Sequence, residues 1–66
     1  MDIIINGEAQ SLPEPVTVAA LLAARGLEGK RVAVERNGEI VPKGHHAETL
    51  LTAGDQIEIV VAVGGG

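Results

Sequence analysis

Gln56-Ile57-Glu58-Ile59-Val60-Val61-Ala62-Val63 is the stretch that decides the fold, and Gly64-Gly65-Gly66 follow it directly. Side chains alternate along an extended chain, so Ile57, Ile59, Val61 and Val63 share one face while Glu58, Val60 and Ala62 share the other. The apolar run from Ile59 to Val63 suits a central strand paired on both sides. It is far short of the roughly 20 residues that cross a bilayer, so the chain is expected to span no membrane. Ala53-Gly54-Asp55 turns the chain into this strand, and Asp55 reads as turn chemistry in preference to a catalytic carboxylate.

Working outward, the other elements fall on both sides of that strand. Asp2-Ile3-Ile4-Ile5 runs into Asn6-Gly7, a strong short hairpin signal, and a second strand continues from Glu8 to Leu12. Pro13-Glu14-Pro15 stops it. Thr17 is placed to cap a helix over Val18 to Arg25, with Val18, Leu21 and Leu22 on one face. Gly26 supplies the left-handed residue that ends it, and Leu27 can fold back onto Leu22. Val32 to Arg36 forms a third strand, Asn37-Gly38 turns it, and Glu39-Ile40-Val41 returns as far as Pro42. Lys43 to Thr52 is expected as a loop with one helical turn near Ala47 to Leu50. Hairpin, helix, hairpin, final strand is an α+β order. It packs one main helix on one face of a mixed sheet of four to five strands, with the last strand parallel to the first. That is the β-grasp arrangement, expected as one domain over residues 1–63 with a flexible glycine tail at 64–66.

Composition narrows the chemistry. At 66 residues the chain makes one domain, and at that size only about 60% of the unfolded surface is buried. There is no cysteine, which removes disulfides, thiolate metal sites and thiol nucleophiles. No charged-then-apolar signal segment opens the sequence, so the expected location is the cytoplasm. A net charge of −4 with only five lysines and arginines argues against nucleic acid as a partner. The absence of aromatic residues removes stacking platforms and the usual walls of a small-molecule pocket.

His45, His46 and Glu48 lack a third strong ligand and read as a solvated loop, so no metal site is expected. Ser11, Thr17, Thr49 and Thr52 have no histidine and carboxylate at a triad's spacing, so no catalytic residue and no cofactor of the chain's own are expected. The glycines remain. Residues without side chains can thread a narrow channel, and Gly64 and Gly65 would carry the Gly66 carboxylate into a partner's active site. A carboxylate is inert to nucleophiles until activated, most simply by attack on ATP to give an acyl-adenylate. With Ile3, Ile5, Ile57, Ile59 and Val61 facing the core, Ile4, Val60 and Ala62 point outward, as a docking patch or as scattered surface hydrophobicity.

Along nearly its whole length the sequence resembles the ThiS family, the sulfur carriers of thiamin biosynthesis. The resemblance rests on Ile4-Ile5-Asn6-Gly7-Glu8, on Thr17-Val18 with Leu21-Leu22, and on Val32-Ala33-Val34-Glu35 leading to Asn37-Gly38-Glu39-Ile40-Val41-Pro42. Gly54 to Ile59 and the terminal Gly65-Gly66 complete it. It implies a ubiquitin-like fold and a carrier, not an enzyme. Gly66 would be adenylated by an ATP-dependent, E1-like enzyme, converted to a thiocarboxylate by a persulfide donor, and presented to thiazole synthase. The departure from the family is a third glycine, Gly64. A molybdopterin synthase small subunit, a ubiquitin-like protein modifier and an inert interaction domain are the alternatives the same residues admit.

Overall fold

The computed structural model describes residues 1–62; Val63 and the glycines 64–66 lie outside the described residues. Two Asn-Gly turns set the frame. Asn6 and Gly7 have φ of 50° and 83°, and Asn37 and Gly38 have 52° and 85°, all in the left-handed region. Consecutive positive φ values make a turn whose twist matches that of the flanking strands. Strand β1 (Asp2–Ile5) therefore pairs antiparallel with β2 (Glu8–Ser11), and β3 (Val32–Arg36) with β4 (Glu39–Ile40). Both returning strands end one residue short of expectation. Val41 leaves the sheet to bury its side chain in the core, although its N–H still donates to Val34 O at 2.8 Å.

The final strand, β5 (Gln56–Val61), lies between the hairpins in a five-stranded sheet of order β2-β1-β5-β3-β4. It runs parallel to β1, with Ile4 beside Gln56, and antiparallel to β3, with Val34 opposite Ile59. One helix, α1 (Val18–Ala24), presents Val18, Leu21 and Leu22 to the core that holds Ile3, Ile5, Val34, Ile57 and Ile59. This is the expected ubiquitin-like β-grasp. Each fully buried Ile or Val contributes roughly 1.5–3 kcal/mol relative to exposure, and the largest fully buried side chains are Ile3, Ile5, Ile57, Val18 and Val34.

Val61 shares the inner face with Ile57 and Ile59 but is not buried in the core as expected: it is 40% exposed. The seven-residue helix is about 10 Å long, short against the roughly 20 Å of a six-residue strand, and the far end of β5 is left uncovered. No helix among the described residues is long and apolar enough to cross a membrane.

The helix ends explain the segment that sequence reads least well. Thr17 caps as expected, its Oγ1 accepting from Ala20 N at 3.1 Å. Val18 N donates to Thr49 O at 3.0 Å and Ala19 N to His46 O at 2.9 Å, so all three first-turn donors are satisfied. Those carbonyls are thereby taken from any helix in their own segment. The helical turn expected near 47–50 falls earlier: a 3₁₀ turn at Lys43–His45, started by Pro42 and closed by His45 N on Pro42 O at 2.8 Å, runs into a single turn closed by Thr49 N on His45 O at 3.0 Å. Leu50 instead bridges Thr17, and Leu51 is buried. At the other end Leu27 N reaches Leu22 O at 2.9 Å and Gly26 N reaches Ala23 O at 3.0 Å, the paired bonds of a Schellman ending around Gly26 at φ 74°.

Candidate functional site

The strand that leads to the glycines is the most firmly held element of the sheet. Strand β1 stops at Ile5, yet the ladder continues through a side chain: Asn6 Oδ1 accepts from Ile59 N at 2.8 Å and Asn6 Nδ2 donates to Ile59 O at 3.3 Å. At the other end of β5, Asn37 Oδ1 accepts from Gln56 N at 2.9 Å. The two turn asparagines thus pin β5 from both neighbours. Sequence reading gave them turn roles only. The signal available was Asn, not Asp or Gly, at the first turn position, because the carboxamide alone carries both the donor and the acceptor that replace a backbone pair.

Asp55 proves more than a turn residue. It is buried, with 4% exposure. Its Oδ2 accepts from Arg36 Nε at 2.8 Å and from Thr52 N at 2.8 Å; its Oδ1 accepts from Asn37 Nδ2 and Thr52 Oγ1, both at 3.0 Å. Burial by itself pushes the carboxyl up, but the bonds from Arg36, Thr52 and Asn37 outweigh it and hold the pKa down, at about 2 against an ordinary 3.8. A carboxylate so satisfied is a staple at the start of β5, not a proton carrier.

At the opposite end of β5, Ala62 N donates to Arg31 O at 2.8 Å, so the described residues end in the middle of the sheet beside β3. Gly64, Gly65 and Gly66, expected to carry the chemistry, lie outside the described residues. Ile4, Val60 and Ala62 face outward as expected, with Ile4 38% and Val60 63% exposed. They do not form one patch. Register sets Ile4 beside Gln56, four positions and about 13 Å along the strand from Val60. Val60 instead sits opposite Ala33, next to the cross-strand pair Glu35 and Glu58.

An open groove of about 610 Å³ lies by the Leu27–Arg31 link, lined by Leu22, Leu27 and Val32, by Lys30, Arg31 and Lys43, and by Val60 and Ala62 at the far end of β5. It brings together no nucleophile with a base. His45 is exposed as expected, but His46 is not solvated: it is 8% exposed and its Nε2 lies 3.0 Å from Val41 O, which makes that nitrogen the N–H donor. Among the described residues no three His, Cys, Asp or Glu side chains group as metal ligands.

A family model described as the ThiS family matches residues 3–66, which takes in the whole fold and all three glycines. The chain belongs to the ThiS family. Its solved relatives include the thiamine biosynthesis protein ThiS of Geobacter metallireducens, 30% identical, covering 100% of both chains at a TM-score of 0.84. The sulfur carrier protein ThiS of Bacillus subtilis is 52% identical over 50 residues, which is 76% of each chain. A protein named thiazole synthase from Paramagnetospirillum magneticum is 47% identical over 66 residues; this ThiS-family chain spans only 20% of its length.

Proposed function

We propose that this ThiS-family chain is a sulfur carrier of thiamin biosynthesis in which the carboxylate of Gly66 is the group that carries the sulfur. Its carboxylate attacks ATP in the site of an E1-like adenylating enzyme and pyrophosphate leaves; the outer sulfur of a donor persulfide then attacks the acyl-adenylate, AMP leaves, and a second thiol of the partner cleaves the resulting acyl disulfide to a thiocarboxylate, itself ending in a disulfide with the donor sulfur. Thiazole synthase takes that sulfur into the thiazole ring. The chain supplies no catalytic residue, metal or cofactor; it supplies a carboxylate on a narrow tether, and ATP belongs to the partner. The observation that carries this reading is the family match through residue 66, glycines included. Placement of β5 supports it: the strand that precedes the glycines in sequence is held on both sides as far as Ile59 and by the β3 side up to Ala62. The likeness to part of a protein named thiazole synthase supports thiazole synthase as the acceptor.

Deleting the gene and supplementing growth tests the assignment. The expected result is a thiamin requirement relieved by the thiazole moiety alone and restored by the wild-type chain but not by a chain lacking residues 65 and 66. Thiamin-independent growth with loss of molybdenum-enzyme activity would overturn it in favour of a molybdopterin synthase subunit.

A further inference from the structure

Strand β3 outruns its partner on the β4 side. Strand β4 covers only Glu35 and Arg36, and Val41 N adds one bond to Val34 O. Towards its start β3 is paired on the β5 side alone. Alternation decides where the remaining backbone groups point. Ala62 N bonds Arg31 O, so Arg31 and Ala33 direct their backbone groups at β5. Val32 lies opposite Val61 in a pair that exchanges no bonds, so its N–H and C=O point the other way, past the end of β4. An open edge of this kind is a template for another strand.

The groove by the Leu27–Arg31 link meets this edge. Val32 lines it, and so do Lys43 and Ala47 from the segment that follows β4. Leu22 and Leu27 add apolar surface, and about 610 Å³ lies within the roughly 300–1,000 Å³ of ordinary binding clefts. Its charge runs against that of the chain. Three of the five lysines and arginines, Lys30, Arg31 and Lys43, line the groove with a single acid, Glu28, although the net charge of the whole is −4. Among the described residues none of these three cations is in an ion pair, whereas Arg36 is bound to Asp55. The link that carries two of them is set by a turn, with Lys30 N on Leu27 O at 3.0 Å and Gly29 at φ 79°.

We propose that this groove binds an extended, acidic peptide segment of another protein, which adds a strand at Val32 and sets its carboxylates against Lys30, Arg31 and Lys43. The open edge selects an extended backbone, and the cations select its charge. Side chains alternate along the added strand, so one set enters the apolar groove while the other meets solvent and the cations. A second copy of the chain fits less well, because two edges with the same cations repel. The site uses none of the glycines and stands apart from the carrier reading.

The probe is a short blocked peptide of alternating valine and glutamate, with the valine–lysine peptide as its control. Binding is followed by amide chemical shifts and by hydrogen exchange, in the wild-type chain and in Lys30→Glu and Lys43→Glu, whose folding is checked by thermal unfolding. The expected result is saturable binding of the glutamate peptide alone, weakened by salt and about tenfold weaker in each folded variant. Exchange at the Val32 amide is expected to slow on binding, which charge attraction without strand pairing would not produce. No saturable binding, equal binding of the lysine peptide, an unchanged Kd in both variants, or binding that leaves Val32 exchange unaltered would overturn the proposal. So would a dimer of the free chain, seen by sedimentation, in which Val32 is already protected.

Discussion

Three side chains that sequence assigns to turns hold the central strand in place. Asn6 and Asn37 bond to β5, and Asp55, the residue before it, accepts from Arg36, Asn37 and Thr52. That their positions are turns is legible, because Asn-Gly and Gly-Asp are turn dipeptides. Their second role is not, because, apart from Asp55's two local bonds to Thr52, their bonds join residues 18 to 53 positions apart and only the folded register brings them together. Asn6→Gly separates the two roles: it keeps the left-handed backbone and removes only the side-chain bonds to Ile59. The expected loss is about 1–2 kcal/mol in urea unfolding, with faster hydrogen exchange at the Ile59 amide; a loss below about 0.3 kcal/mol would reduce Asn6 to a turn residue. Asp55 makes a pH prediction. Its folded-state pKa of about 2 lies below the ordinary 3.8, so the folded chain binds this proton less readily than the unfolded one. Its contribution, about 2 kcal/mol, is complete above about pH 5 and is lost as pH falls through 3.8 towards 2. Asp55→Asn is expected to lower stability by about that amount at pH 7 and to flatten the acid limb; an unchanged acid limb would contradict the assignment.

The helix and both hairpins are legible because their signals are local. Thr17, Leu21, Leu22, Gly26 and Leu27 lie within eleven residues and specify cap, face and ending between them. The Schellman ending gives a clean test, since a Cβ at Gly26 would meet nothing within 4 Å. Gly26→Ala is therefore expected to cost only the left-handed conformation, about 1 kcal/mol by thermal unfolding; no loss would mean that the ending does not need a glycine. The segment from Lys43 to Thr52 is not legible for the opposite reason. Its shape is dictated by Val18 and Ala19, which lie more than twenty residues earlier and draw the carbonyls of Thr49 and His46 towards the start of α1. Local propensity favoured a helical turn there, and a contact distant in sequence displaced it. The burial of His46 has the same origin.

At the scale of the whole molecule, the fold sets at the centre of its sheet the strand that leads in sequence to the glycines. The order of elements was enough to derive the mixed sheet with β5 at its centre, since a strand parallel to the first and apolar on both faces has no other place to go. In the sequence the glycines are the candidate handle because a chain without cysteine or aromatic residues offers little other reactivity; they lie outside the described residues. The outer face was only half legible: alternation fixed which residues point outward, but register between strands separates Ile4 from Val60 and sets Glu35 against Glu58. The central claim is that Gly66 carries sulfur, and it is met most directly by the intact mass of the chain after incubation with its adenylating enzyme, ATP and a persulfide donor. The expected result is a mass gain of about 16 Da, one oxygen exchanged for one sulfur, located on the C-terminal peptide and absent without ATP. An unchanged mass with an enzyme shown to be active would contradict the claim and leave a β-grasp domain that binds partners without carrying anything to them.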